Sequence, residues 1–249
     1  MNIGTVFLII VIIVLLYIVI RYIVVDVNTL TGLSSGTVMA TITADSLAQS
    51  ASGVNSSNFA YSIWFYVNDW NYRYGEPKVI YGRMGASTDT TGPCPAVILG
   101  PIANNIDVAL TVYPGVDTVP DTTNTKKDKD SMTHNCSIPN VPIQSWVNLL
   151  ISVYGRTLDV YLDGKLVKTC VLPGVAKINN DSNIYVTPNG GFSGWTSKFQ
   201  YYPNSIDPQQ AWNIYQQGYG SSMLSNIFGK YQIKVSVVEN GTENSSLTI

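Results

Sequence analysis

The chain has 249 residues, 45% hydrophobic and only 12% charged, with a formal net charge of −2. The charged share is about half that of an ordinary soluble domain, and the near-balance of signs leaves no basic footprint for nucleic acid. Lys126, Lys127 and Lys129 are interleaved with Asp128 and Asp130, so even that cluster nearly cancels and reads as a solvated loop.

Residues 3–25 read IGTVFLIIVIIVLLYIVIRYIVV. About 23 residues at 1.5 Å each give roughly 35 Å, enough to cross a bilayer. Arg21 near the end can snorkel to the headgroups. No charged region precedes the run and no small-x-small cleavage site follows promptly, so residues 1–25 are expected to be an uncleaved anchor with a lipid bilayer as partner. Too few charges flank it to set its orientation. Residues 26–36 are polar and read as a linker. From there to residue 238 the sequence predicts one β domain.

Short strand-like runs follow: 37–43 (TVMATIT), which alternates, then 59–67 (FAYSIWFYV), 78–83 (KVIYGR), 96–99 and 106–113. Between the second and third lies DWNYRYGEP, residues 69–77. Its alternate aromatics Trp70, Tyr72 and Tyr74 are candidates for stacking on a sugar or for an interface. Residues 114–142 show little periodicity and read as one long loop, which in a compact domain is usually functional or disordered. Residues 145–170, SWVNLLISVYGRTLDVYLDGKLVKTC, predict three strands in a meander. The Asp163-Gly164 pair is the hairpin signal, because a type I′ turn needs φ > 0 at both central residues. Leu158, Val160 and Leu162 share one face of the middle strand, as an antiparallel sheet with one wet or covered face requires.

Two further strands are expected at 183–187 and 195–202, then one short helix. Asp207 suits its N-cap, Pro208 its first turn and Gly218 its stop, with Ala211, Ile214 and Tyr215 on one face. A last strand at 231–238 precedes a polar tail, 239–249. The fold class is therefore all-β: an antiparallel two-sheet jelly-roll sandwich preceded by one transmembrane helix.

Three cysteines forbid full pairing within the chain. Cys94 and Cys136 lie beside prolines in predicted loops and could pair, while Cys170 on a strand reads as a buried apolar residue. No Cys/His spacing around the single histidine, His134, suggests a metal site, and no cofactor is expected. Asn179, Asn180, Asp181 and Asn183, and Asp117 with Asp121, are the densest oxygen clusters for calcium, but read as turn-forming residues. Trp64, Trp146, Trp195 and Trp212 read as core. Sequons for N-glycosylation stand at Asn55, Asn135, Asn180, Asn240 and Asn244 and matter only in a secretory lumen.

Trp146 opening its strand, the Val160-Tyr161-x-Asp163-Gly164 hairpin, and the Pro208-x-x-Ala211-x-x-Ile214-Tyr215 helix after a Gly-led strand resemble the laminin-G-like branch of the concanavalin A-like lectin/glucanase jelly rolls. The resemblance spans about residues 37–220. Glucanase members of that superfamily carry two glutamates on one strand for retaining hydrolysis. Asp159 and Asp163 stand on the matching strand, but no glutamate does, so no catalytic residue is expected. An anchor followed at once by such a domain also looks like the minor capsid and membrane proteins of large DNA viruses. The expected function is a non-enzymatic, single-pass structural protein, concretely one that tethers an internal virion membrane to the capsid shell through contacts with other capsid or membrane proteins. The alternative is a lectin-like module that binds glycans at a cell surface.

Overall fold

The computed structural model describes residues 10–15, 17, 28–47, 57–87, 92–114, 125–128, 131–220, 234–239 and 242–248. Sixteen strands are found among them: β1 (Thr29–Thr31), β2 (Ser34–Ser35), β3 (Ala40–Ile42), β4 (Phe59–Asp69), β5 (Lys78–Met84), β6 (Ala96–Leu99), β7 (Asn105–Val112), β8 (Thr125–Asp128), β9 (Ser131–Pro139), β10 (Trp146–Tyr154), β11 (Thr157–Leu162), β12 (Lys165–Val171), β13 (Asn183–Val186), β14 (Ser193–Tyr202), β15 (Lys234–Glu239) and β16 (Thr242–Thr248). One sheet runs β1-β14-β4-β10-β11-β12, with β2 also on β14, and the other β3-β13-β5-β6-β7-β9-β8. All their pairings are antiparallel, and the expected all-β two-sheet sandwich is what forms.

Strict alternation makes the sandwich. Phe59, Tyr61, Ile63, Phe65 and Val67 of β4, with Val147, Leu149, Ile151 and Val153 of β10, point inward. They meet Val97, Leu99, Ile106, Val108 and Leu110 from the opposed sheet. The meander registers as its sequence demands, Leu149 opposite Leu162 and Val153 opposite Leu158. Asp163 and Gly164 sit at φ 49° and 72°, the left-handed pair the turn needs. The helix Pro208–Gln216 carries the expected capping box. The Asp207 carboxylate accepts from the Gln210 amide at 2.7 Å, and Ala211 and Ile214 are buried on Leu150 and Tyr161.

Several expected boundaries are corrected. The linker 26–36 contains β1 and β2, which pair antiparallel with β14, Thr29 opposite Gln200 and Ser35 opposite Trp195. The expected loop 114–142 contains β8 and β9. β9 pairs along the whole of β7, from Asn105 opposite Pro139 to Val112 opposite Met132. Its polar alternate residues hid it, since only Met132, Cys136 and Ile138 turn inward. The sandwich unit is residues 28–219. The last expected strand is β15, which pairs with β16 out of the expected polar tail as a separate two-stranded sheet.

Residues 10–15 and 17 are helical, and the rest of the expected anchor 3–25 lies outside the described residues. Among the described residues no helix is long and apolar enough to cross a membrane.

The disulfide also differs from expectation. Cys136 bonds Cys170, with Cα atoms 6.2 Å apart, and Cys94 is a free, buried thiol. Cys136 lies on a strand, and its side chain points across the core to β12 of the opposite sheet. Cys170 is therefore a bridge between the sheets, fixing the outermost strand β12 to β9. Beside it the Lys168 ammonium donates to the Ser137 carbonyl at 2.7 Å.

Candidate functional site

Because β4, β10 and β14 turn their odd or core-facing residues inward, what remains on the outer face is set by register. Trp146 stands opposite Tyr66, Tyr66 opposite Trp195, and Trp195 opposite Ser35. This is one row across four neighbouring strands, and at about 4.8 Å per strand it runs roughly 14 Å. Tyr66 lies 5.8 Å from Trp146 and 6.0 Å from Trp195 between ring centroids. Tyr219 stacks on Trp146, and Trp64 lies beneath Tyr215 and against Tyr219. Trp195 and Tyr219 remain 45% and 47% exposed. The Ser35 and Thr37 hydroxyls, 2.9 Å apart, edge the row beyond Trp195. The result is an aromatic shelf with a polar rim on the outer face of the sandwich.

The shelf borders one end of the sandwich, where β4, β6, β9 and β13 finish. There the backbone is unusually constrained. Arg73, Thr187 and Asn189 adopt φ of 52°, 49° and 55°, with Gly190 at 78° between them and the next glycine. Left-handed φ at a β-branched residue is a true outlier, and such strain gathers at functional surfaces. Neighbouring loops hold it. The Tyr72 hydroxyl donates to the Gly190 carbonyl at 3.1 Å, and the Arg73 guanidinium donates to the Asn189 carbonyl and pairs with Glu76 at 2.8 Å. The Gly75 amide donates to the Pro101 carbonyl, and the Asn104 side-chain amide to the Val141 carbonyl.

The three sequence-predicted aromatics separate on this loop. Trp70 packs against the core, with the Lys78 ammonium 5.0 Å above its ring. Burial lowers the Lys78 pKa, the Arg73 charge adds to that, and Glu76 opposes it. Tyr72 is half-buried and spent on Gly190. Only Tyr74, 58% exposed, presents an open ring. Of the four tryptophans expected in the core, Trp64 is buried, Trp146 is half-buried, and Trp195 and Trp212 are exposed. Alternation along residues 59–67 already puts Trp64 and Tyr66 opposite the core face. Which other strands lie beside them is set by pairing between distant segments, and no local pattern carries that.

The two aspartates of the meander are engaged in structure. Asp159 accepts from the Thr169 hydroxyl at 2.6 Å, and Asp163 from the Asn148 amide at 2.9 Å. In the 179–183 run the Asn179 side chain closes a turn onto the Asp181 amide, and Asn183 accepts from the Ala44 amide. The buried Arg83 guanidinium occupies the Asn180 and Ser182 carbonyls. Asp117 and Asp121 lie outside the described residues. Among the described residues no group of three or more His, Cys, Asp or Glu side chains converges to hold a metal.

No family model matches the chain, and no curated protein does. Solved structures do. The receptor-binding domain of botulinum neurotoxin D is 12% identical with a TM-score of 0.51, over 78% of this chain and 45% of that one. The receptor-binding domain of the C/D mosaic serotype is 12% identical with a TM-score of 0.50, over 78% of this chain and 44% of that one. At this identity the likeness is one of fold. The chain spans less than half the length of those domains, so receptor binding is a property of those larger proteins.

Proposed function

We propose that the sandwich is a carbohydrate-binding module and that its sugar surface is the shelf presented by Trp195, Tyr66 and Tyr219, with Trp146 stacked under the Tyr219 ring. The observation that carries this is the exposure of Trp195 within a continuous aromatic row, beside the open ring of Tyr219. Aromatic faces are electron-rich and meet the polarised C–H groups of a sugar ring, while hydroxyls at the rim take its polar edge. A site of this kind binds and does not catalyse. With Asp159 and Asp163 tied into structure, the reading is non-enzymatic. A glycan array on the 28–219 sandwich within the full chain, followed by tryptophan-fluorescence titration of any hit, tests it. Binding that Trp195→Ala abolishes is expected; binding to no glycan, or binding indifferent to that change, sinks the reading.

A second reading keeps the protein structural, docking on other proteins. It is favoured by Val38, Met39, Tyr74, Ile102 and Ile143, large apolar side chains exposed on four loops at one end of the sandwich. The form of it that places the protein between a virion membrane and its capsid is carried by the sequence layout alone. Cross-linking in the native membrane distinguishes the two readings: protein adducts through Tyr74 or Ile102 positions support docking, and their absence with glycan capture supports the first.

A further inference from the structure

We propose that the sandwich matures on the non-cytosolic side of a membrane and carries N-linked oligosaccharides on Asn135 and Asn180. Two independent observations meet here. The first is the Cys136–Cys170 bond between the sheets, which forms and persists in oxidising compartments and is rare in the cytosol. The second is the placement of the sequons. Asn135-Cys136-Ser137 and Asn180-Asp181-Ser182 both satisfy the acceptor pattern, and both asparagines are exposed in the folded domain. Alternation along β9 turns Cys136 inward to its disulfide and leaves Asn135 on the outer face of the sheet. Asn180 stands in the turn before β13, where Arg83 holds the main-chain carbonyls and leaves the side chain outside. A glycan on either site meets no core residue and blocks neither the aromatic shelf nor the helix.

The chemistry is complete with a lipid-diphosphate-linked oligosaccharide as donor. The asparagine Nδ2 forms a bond to the anomeric carbon, the bond from that carbon to the phosphate oxygen breaks, the lipid diphosphate leaves, and the amide gives up one proton. In the same compartment the two thiols lose two electrons and two protons to a disulfide-bearing oxidoreductase. The inference is independent of what the shelf binds.

The test is the full chain expressed in eukaryotic cells behind its own N-terminal segment. The readouts are mass before and after peptide-N-glycosidase and alkylation of free thiols before lysis. The expected result is a glycosidase-sensitive mass, lost in the N135Q/N180Q double variant, with Cys136 and Cys170 protected from alkylation until reduced. A glycosidase-resistant chain overturns the proposal, whether its disulfide is formed or open. So does a shift that the double variant leaves unaltered, which would assign the glycan to Asn55, Asn240 or Asn244.

Discussion

Tyr219 lies flat on Trp146, with ring centroids 4.6 Å apart and planes 9° from parallel. Tyr219 leaves the helix just after Gly218, and its carbonyl accepts from the Ser197 hydroxyl at 2.7 Å. The exit of the helix is thereby fastened to both β10 and β14, and the end of the sandwich chain doubles as one edge of the shelf. Sequence distance separates the two rings by more than seventy residues, yet the helix stop at Gly218 sets where Tyr219 falls.

Removing that ring tests the coupling. Tyr219→Ala is expected to lower stability by about 1–3 kcal/mol, the size of its two aromatic pairs with Trp146 and Trp64, and to shift tryptophan emission to the red as Trp146 meets water. Urea unfolding and emission spectra read both. An unchanged spectrum would mean that the stack is not populated in solution.

Trp195→Ala and Trp70→Ala are expected to separate binding from folding. Trp195 is nearly half exposed and pairs with Tyr66, so its loss removes the sugar surface at a cost of no more than one aromatic pair, about 0.5–1.5 kcal/mol. Trp70 supports the buried Lys78 ammonium, so its loss leaves that charge without its aromatic neighbour. A destabilisation of about 1–3 kcal/mol is expected there, with glycan affinity retained in the folded fraction. The reverse pattern would return the site to the 69–77 loop.

Reduction of the inter-sheet disulfide frees a loop closed at a sequence separation of 34. Chain-entropy arguments put the loss at about 3–4 kcal/mol for a loop of that size. Cys170→Ser should show this loss without reductant, and reductant should then have no further effect. Cys94→Ala should leave the response to reductant as it is in the parent chain, because Cys94 takes no part in the bond. A response to reductant that vanishes in Cys94→Ala instead would restore the Cys94–Cys136 pairing.

Local chemistry made most of the sandwich legible in advance. The Asp163-Gly164 turn, the Asp207 cap and the strand over residues 59–67 each depend on residues a few positions apart, and each formed as read. What stayed hidden depends on distant pairing. β9 alternates, but His134 and Asn135 break its apolar pattern, so it resembled a loop, and with it went the true partner of Cys170. The shelf is hidden for the same reason. Trp146, Tyr66 and Trp195 come from three segments whose register is decided by the whole sheet. The aromatics of the 69–77 loop are close in sequence, yet two of the three are spent on packing and on the Gly190 carbonyl.

Buried acids in the core set the response to alkali. Burial raises the Cys94 thiol from its ordinary 9.0 to about 12, against the opposing charge of Arg83. Burial likewise raises the phenols of Tyr61, Tyr81 and Tyr201. Each group keeps its proton in the folded chain at a pH where the unfolded chain has lost it. The folded state then binds more protons, and stability falls as pH rises. The contribution is fully present below pH 9, where both states are protonated, and is lost as pH climbs from there toward 12. Each such group adds a slope of up to about 1.4 kcal/mol per pH unit within its own window. Urea midpoints at pH 8, 9, 10 and 10.5 should therefore hold steady across the first step and drop across the later ones. Cys94→Ala should flatten the fall between pH 9 and 10, where the thiol acts before the phenols of the unfolded chain begin to ionise. A midpoint that stays level to pH 10.5 would show that water reaches these groups in the folded sandwich.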